Sequence, residues 1–142
     1  MQRCAIRYWQ KKEAMTLDEK LWKEFSKMVR MKHANEYGWV KCFTCSASGP
    51  WKEFDCGHFM PRAYLATRYS ILNNKPQCVR CNRMEDGQFA RFSANLATKY
   101  GAKIPRLIIE IAREGQQLTV EEKEWFLSYC KDQIKLLSAK FI

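Results

Sequence analysis

The strongest constraint on this chain is a pair of cysteine motifs with two residues between the cysteines of each. The motifs are Cys42 to Cys45 and Cys78 to Cys81, and thirty-two residues separate them. A turn with this spacing points both sulfur atoms at one ion, and two such turns supply the four ligands of a tetrahedral zinc site. Because four thiolates leave no open coordination position, the spacing predicts a structural Zn²⁺. Four unrelated buried thiols are the alternative.

The remaining cysteines do not favour a disulfide framework. Cys4, Cys56 and Cys130 are left over from a total of seven, which is an odd number. The chain begins without the apolar segment of a secretory signal peptide, so we expect a reducing, cytoplasmic location. Cys130 falls on an apolar helical stripe and is expected in the core. Cys56 lies close to His58 and could replace one of the zinc ligands.

The positive charge is concentrated around the cysteine motifs. The formal net charge is +10, and segment 61–113 alone carries ten basic residues against three acidic ones. Segment 1–12 adds four basic residues and no acid, whereas segment 114–142 is nearly balanced. A localised basic excess favours docking of nucleic acid, although a surface made basic for solubility is the alternative. No run of 18 apolar residues is present, so no membrane span is expected.

Hydrophobic periodicity predicts an α+β fold in which a small cysteine module lies among about four helices. The first helix begins at a capping box from Thr16 to Glu19 and ends near residues 33–35. Aromatic and β-branched residues over 39–56 predict short strands or a hairpin. Segment 59–77 is expected to be irregular because of four breakers: Pro61, Asn73, Asn74 and Pro76.

Three further helical segments are predicted after the second cysteine motif. They are a helix from about 78–82 to Gly101 with a break at Gly87, a short helix stopped by Gly115, and a last helix that begins at the capping box from Thr119 to Glu122. The last two carry apolar stripes that are expected to face the core: Ile104, Leu107, Ile108 and Ile111, then Phe126, Cys130, Ile134, Leu137 and Phe141.

His58 is one of only two histidines and lies between the cysteine motifs. If sulfur alone satisfies the zinc, its imidazole is free to take a proton from water near neutral pH. Neighbouring oxygens can hold a hard cation and neighbouring arginines can clamp phosphate; the group is Asp55, Arg62, Arg68, Asn73, Asn74, Gln77 and Asn82. These are the parts of a metal-assisted phosphodiester hydrolase, and a core histidine is the alternative. His33, by contrast, is expected to be solvated at a helix end.

The order of these motifs resembles one family of phage proteins. A C-x-x-C motif is followed by Asp-Cys-Gly-His-Phe, an arginine-rich loop with Ala-Thr-Arg, an asparagine, and Pro-Gln-Cys-Val-Arg-Cys-Asn-Arg ahead of a helix. Over residues 37–101 this combination is similar to the NinG/Rap family of lambdoid phage recombination endonucleases. More widely, it resembles the zinc-stabilised HNH, or ββα-metal, nucleases, including the phage endonuclease VII group.

The resemblance implies a treble-clef zinc knuckle that carries an HNH-like ββα-metal core flanked by the helices. His58 then aligns with the general base, and Asn82 aligns with a ligand of the catalytic metal. Asn74 aligns with the asparagine that props the loop near the histidine, and Asn73 could exchange roles with it. The chain is expected to form a single domain over 1–142, made of an N-terminal basic segment and helix (1–36), the nuclease core (37–101) and C-terminal helices (102–142).

The chain departs from the family pattern directly before the histidine. Many of these nucleases carry an acidic metal ligand at that position, where this chain has Gly57. Asp55 is the expected substitute, with Glu85 or Asp86 behind it. A turn carboxylate with no role in metal binding is the alternative for Asp55.

The resemblance also implies the reaction. The expected activity is hydrolysis of phosphodiester bonds in branched DNA, such as Holliday junctions and D-loops, with one Mg²⁺ or Mn²⁺ held by Asn82 and Asp55. Four arginines are expected to position DNA phosphates: Arg62, Arg68, Arg80 and Arg83. A homodimer would present one active site to each strand of a symmetric junction. A phage-encoded protein of this kind would act in the host cytoplasm.

Two other functions use the same features. The chain could be a zinc-stabilised module that binds DNA or RNA without cutting it, or a zinc finger that binds another protein while its charge is incidental. Only phosphate contacts make binding weaken steeply as salt rises, which separates the last possibility from the other two. Trp9, Trp39 and Trp51 could stack on unpaired bases, although packing is the simpler expectation.

Overall fold

The structure, a computed structural model, describes residues 15–142, so the predicted basic segment 1–12 with Cys4 and Trp9 lies outside the described residues. It contains four α-helices and four short strands: α1 (Leu17–Lys32), β1 (Trp39–Lys41), β2 (Ser48–Pro50), β3 (Asp55–His58), β4 (Asn74–Gln77), α2 (Phe89–Tyr100), α3 (Ile104–Glu114) and α4 (Val120–Ser138). A 3₁₀ turn at Trp51–Glu53 and a π-helical turn at Arg80–Met84 complete the described elements. The predicted α+β class is confirmed. Within this part of the chain, none of the helices has the length and apolarity needed to cross a membrane.

The first and last helices pack against each other and form the main core. Both begin where the sequence predicts: the hydroxyl of Thr16 accepts a hydrogen bond from Glu19 N, and Thr119 and Glu122 form a complete capping box. Their apolar stripes meet in a cluster of buried side chains: Leu21, Phe25, Met28, Val29, Met31, Cys130 and Ile134. Burying a large apolar side chain stabilises a fold by about 1.5–3 kcal/mol, so this contact holds the two ends of the described chain together.

A second core joins α2, α3 and the start of the loop after β3. Its buried members are Phe59, Met60, Phe92, Leu96, Ile108 and Ala112. The expectation that the whole apolar stripe of α3 faces the core is wrong in part, because Leu107 and Ile111 are 45% and 43% exposed. The small side chain of Ala112 lies on the buried face instead, so α3 is rotated away from the orientation that its largest side chains predict.

The strands form two separate antiparallel hairpins. In the first, Trp39 pairs with Pro50 and Lys41 with Ser48. In the second, β3 pairs with β4 so that His58 lies opposite Asn74. The prediction that 59–77 is irregular is therefore wrong for its last four residues.

Pro76 is tolerated in β4 because the neighbouring segment forms its hydrogen bond with the carbonyl of Pro76 and needs no N–H group from it. That carbonyl accepts a hydrogen bond of 2.9 Å from Phe43 N, whereas a proline nitrogen has no proton to donate. This bond attaches the outer edge of the second hairpin to the segment between Cys42 and Cys45.

His33 caps the C-terminal end of α1 but is not solvated as predicted. Its ring is half-buried, and Nδ1 lies 2.8 Å from the carbonyl oxygen of Val29. Burial, together with the nearby charges of Lys75, Lys99 and Lys32, lowers the pKa of His33 to about 4. The ring is therefore neutral near pH 7, with the Nδ1 proton donated to the helix carbonyl.

Protonation of His33 is expected to destabilise the fold. The pKa of an unfolded histidine is about 6.5, so between pH 6.5 and about 4 the unfolded chain binds a proton that the folded chain rejects. The free energy of unfolding should fall by about 1 kcal/mol between pH 7 and pH 5.5 because of this group. His33→Gln should remove that contribution, measured as the difference between the urea unfolding curves of the two proteins at each pH. A difference that stays constant from pH 7 to pH 5.5 would contradict the assignment.

Candidate metal centre and basic cleft

The four motif cysteines lie together in the structure. The sulfur atoms of Cys42, Cys45, Cys78 and Cys81 are all within 4.8 Å of one another, and those of Cys45 and Cys78 are 3.7 Å apart. A tetrahedron of sulfurs each about 2.3 Å from Zn²⁺ has edges of about 3.8 Å. All four are free thiols. The cluster thus has the donor chemistry and spacing to hold a zinc ion, and four thiolates fill its shell.

Local turns aim these sulfurs at one point. After β1 the chain folds back through Ser46, whose φ of 64° is left-handed, while Ser46 N donates to the carbonyl of Cys42. After β4 the chain enters the π-helical turn, and Cys81 N approaches the sulfur of Cys78 at 3.5 Å. A backbone N–H directed at a sulfur favours its thiolate form, which is the form that binds metal.

The other two described cysteines lie outside the cluster. Cys130 is fully buried in the core between α1 and α4, as predicted. Cys56 is half-buried on β3 and lines a different cleft. Burial raises the pKa of both thiols to about 12. The sulfur of Cys56 is not among the four that lie within 4.8 Å of one another, so Cys56 is not placed to substitute as a zinc ligand.

Removing one cluster sulfur should remove both the metal and the fold of the knuckle. Cys78→Ser is expected to lose bound zinc and to unfold at room temperature, because structural zinc contributes about 10 kcal/mol or more in small zinc domains. Cys56→Ala should retain one zinc per chain. Metal content by mass spectrometry and thermal unfolding by circular dichroism check both variants. A folded, zinc-free Cys78→Ser protein would overturn the structural role.

The second hairpin places His58 beside a basic cleft. The cleft has a volume of about 360 Å³, and its charged lining consists of three arginines and one carboxylate: Arg30, Arg62, Arg83 and Asp55. His58, Cys56 and Asn82 also line it, together with Trp22, Ser26 and Phe54. The excess of positive charge in a concave site suits an anionic ligand such as a phosphate.

His58 is tuned to stay neutral. Burial first, and the nearby charge of Arg62 second, lower its pKa. Its Nδ1 atom is buried and has no hydrogen-bond partner among residues 15–142. The amide oxygen of Asn74, the residue opposite His58 in the hairpin, is buried and without a partner in the same part of the chain. A neutral imidazole in a cleft is able to accept a proton from water or a hydroxyl group.

Asp55, Asn82 and Arg83 form one hydrogen-bonded group at the edge of the cleft. Arg83 donates to both carboxylate oxygens of Asp55 at 2.8 Å, and the Asn82 amide donates to one of them at 2.9 Å. Burial alone would raise the pKa of Asp55, but these donors outweigh it and the pKa is lowered. The structure thus brings together the two residues predicted to hold a catalytic metal, with an arginine engaged on the same carboxylate.

The other predicted site residues are placed less uniformly. Arg62 lines the cleft and its guanidinium lies 4.0 Å from the ring centre of Trp22. Arg68 is not among the lining residues and contacts the carbonyl of Arg62 and the carboxylate of Asp18. Arg80, Glu85 and Asp86 also lie outside the lining, and Arg80 pairs with Glu85. The roles of Arg68 and Arg80 in binding phosphate remain predictions.

Both candidate asparagines hold the loop between β3 and β4. Asn73 exchanges hydrogen bonds with the backbone N–H and carbonyl of Met60, which closes the loop at its base. Asn74 donates to the carbonyls of Arg68 and Ser70 inside the loop. The two side chains therefore brace the loop at different points, and the role of Asn74 in an HNH-like site stays a prediction.

Arg30 is a cleft residue that the sequence analysis did not assign. Its guanidinium donates to the carbonyls of Ser26 and Phe54 and lies over the ring of Trp51. Trp22, Ser26 and Arg30 follow each other at intervals of four residues, so they share one stripe of α1 beside the apolar one. That spacing is the sequence signal that could have identified this wall of the cleft.

The glycine before His58 has a packing role. A Cβ atom at Gly57 would lie 2.7 Å from Cγ of Gln77 and closer still to its amide oxygen. Gln77 is fully buried, and its amide donates to Thr44 Oγ1 and to the carbonyl of Gly87. The space in which a family-type carboxylate would stand is thus filled by a side chain that braces the cysteine knuckle.

Any side chain at position 57 should therefore destabilise the fold. Gly57→Ala is expected to lower the free energy of unfolding by about 2–4 kcal/mol, from overpacking and disturbed hydrogen bonds of Gln77. The double variant Gly57→Ala/Gln77→Ala should lose less than the sum of the two single changes, because the clash is then absent. Chemical unfolding of the four proteins measures this coupling, and strictly additive losses would contradict the proposed contact.

Comparison with known proteins identifies a family. The sequence pattern of the family described as the bacteriophage lambda NinG protein matches residues 2–140. The match covers the flanking helices as well as the 37–101 segment that carries the motifs. No curated protein and no solved structure matches the chain.

Proposed function

The chain belongs to the bacteriophage lambda NinG family, and on that premise we propose that it is a metal-dependent endonuclease that cleaves branched DNA during phage recombination. One observation carries the proposal. His58 lies in a cleft with three arginines, while four cysteines elsewhere are close enough together to fill the ligand set of a zinc ion. The imidazole is therefore available for chemistry on an anionic substrate.

The local architecture supports an HNH-like core. An antiparallel hairpin, β3 and β4, leads directly into the helical turn at Arg80–Met84, and the cysteine knuckle attaches to the edge of β4. Strand, strand and helical turn thus follow in the order of a ββα-metal site. We assign the treble-clef knuckle and nuclease core on this order together with the motif resemblance.

In the proposed mechanism His58 is the general base. Its lowered pKa keeps it neutral near pH 7, and it takes the proton of a water that attacks the phosphodiester phosphorus. Arg30 and Arg62 orient the phosphate oxygens from two walls of the cleft. Asn74 holds the loop that carries Arg68, and so acts on the site through the backbone.

Asp55 and Asn82 are the residues that would hold Mg²⁺ or Mn²⁺. They offer oxygen donors of the kind that these ions prefer, and they already lie within hydrogen-bonding distance of each other. When bound, such an ion stabilises negative charge on the phosphate and on the leaving oxygen. Arg83 engages the carboxylate but its side chain is 66% exposed, so it is the member of the group able to swing toward a DNA phosphate.

A non-cutting DNA-binding module is the second candidate function. The observation that favours it is the pairing of Arg83 with both oxygens of Asp55, which neutralises the one carboxylate that the described residues contribute to the cleft lining. This candidate predicts salt-sensitive DNA binding and no product strands with any divalent metal.

We propose further that the active form is a homodimer in the cytoplasm of the host. Large apolar and aromatic side chains are exposed along one face of α4, among them Trp125, Tyr129 and Leu136. They offer a surface on which a second copy could pack, so that two clefts face the two strands of a junction.

Cleavage should depend on His58 and on its protonation state. With Mg²⁺, wild-type protein is expected to cut a four-way junction more readily than duplex of the same sequence, and His58→Ala should cut about 10²- to 10⁴-fold more slowly. Zinc content and thermal midpoint should be unchanged in the variant. Equal rates for the two proteins would overturn the role of His58, and binding without cleavage by wild type would favour the second candidate.

The pH dependence gives an independent test of the same base. The cleavage rate should rise as His58 loses its proton and level off by pH 7, with a midpoint below 6.5 because the pKa of His58 is lowered. Arg62→Gln removes one of the two causes of that lowering, so its midpoint should move up toward 6.5. A midpoint that is the same in both proteins would contradict the influence of Arg62 on the base.

A further inference from the structure

A second and larger pocket lies where α1 ends and β1 begins. Its volume is about 790 Å³, within the range of small-molecule sites, and the twelve lining residues that belong to the described part of the chain include no acidic one. The side chains that give it its character are His33, Tyr37, Trp39, Lys41, Phe43 and Lys99. Aromatic rings interleaved with lysines are the composition of surfaces that bind single-stranded nucleic acid.

The two outer aromatic rings are held on a rigid turn. Tyr37 is 66% exposed and Trp39 is 50% exposed, which is unusual for side chains of this size. The side-chain oxygen of Asn35 accepts hydrogen bonds from both Tyr37 N and Trp39 N at 3.0 Å. Backbone bonds between Asn35 and Trp39 and between Gly38 and Asn35 close the same turn, and Gly38 supplies the positive φ of 76° that it needs. The rings are therefore presented to solvent at little conformational cost.

The surroundings of the pocket are positively charged. Lys41 and Lys99 are exposed at its rim. Lys75 is fully buried close by, and its ammonium group donates to the Tyr100 hydroxyl at 2.7 Å. The same positive charges act on His33. Burial is the largest cause of its lowered pKa, and the charges of Lys75, Lys99 and Lys32 lower it further.

The pocket and the cleft that holds His58 share one structural element. Arg30 lines the cleft and His33 lines the pocket, and three residues of α-helix rise by about 4.5 Å along the helix axis. The C-terminal end of α1 therefore contributes to both sites.

We propose that this pocket binds an unpaired base of single-stranded DNA, stacked on Trp39 and Tyr37, while Lys41 and Lys99 contact the flanking phosphates. The inference rests on the proposed function for the origin of the strand, which would be an unpaired arm next to the branch. In its neutral form His33 carries its proton on Nδ1, so Nε2 is an acceptor for an amino or imino group of the base. The site would thereby select branched DNA with exposed bases over continuous duplex.

Binding without cleavage tests the pocket. All proteins carry His58→Ala and the buffer contains EDTA, and fluorescence anisotropy measures the affinity for a labelled oligothymidylate and for an abasic strand of equal length. Trp39→Ala should weaken binding of oligothymidylate about tenfold while leaving the abasic strand unaffected, because stacking acts on bases and not on phosphates. Trp39→Phe should restore most of the affinity. Leu107→Ala, which removes an exposed apolar side chain of α3 outside both linings, should bind both strands like its parent.

The outcomes separate this inference from the nuclease proposal. Oligothymidylate affinity that is unchanged by Trp39→Ala would overturn the pocket, as would an equal loss for the two strands, and neither would bear on cleavage. If Trp39→Ala weakened binding only of the strand that carries bases, and the wild-type protein cut no DNA, the base-binding pocket would be supported and the nuclease proposal would be refuted. Thermal midpoint and zinc content of Trp39→Ala establish that a loss of affinity is not a loss of fold.

Discussion

Four sulfur atoms within 4.8 Å of one another close the centre of this protein, and the rest of the site depends on that closure. The two motifs are brought together across thirty-two intervening residues. That segment contains both β3 and β4, so joining its ends fixes the hairpin between them. The bond from Phe43 N to the carbonyl of Pro76 then ties the knuckle to β4. A metal in this position would hold the strand that carries His58 through its partner strand, without touching the histidine.

Gln77 couples the knuckle to the chemistry of the cleft. Its amide braces Thr44 between the first two cysteines, and its side chain fills the space next to Gly57. The chain therefore has no room for a carboxylate directly before His58, and the acidic group of the cleft stands two residues earlier, on Asp55. The same residue that braces the cysteine cluster thus excludes a carboxylate from the position next to His58.

Much of the architecture was predictable from local patterns, and the errors have physical causes. The helix starts at Thr16 and Thr119 were predicted correctly because each threonine is a preferred N-cap residue and is followed three residues later by a glutamate. The strand at Asn74–Gln77 was missed because its breakers are tolerated at a hairpin edge, where Pro76 offers a carbonyl to Phe43. The predicted orientation of α3 was wrong because the size of an apolar side chain does not indicate which face of the helix packs against a neighbour. The predicted exposure of His33 was wrong for a similar reason, since burial at a helix end depends on which elements pack there.

The sequence by itself determined the four cysteines that could hold a zinc ion and the α+β class, because both follow from residue type and spacing along the chain. It also carried the family, since the matching pattern runs over residues 2–140. Only the tertiary structure decided which arginines share the cleft, that Arg30 is among them, and that Arg83 engages Asp55. It alone placed an aromatic turn and a group of lysines around one pocket. Those arrangements join residues from α1, both hairpins and α2, and distances between separate elements are set by packing, not by local sequence.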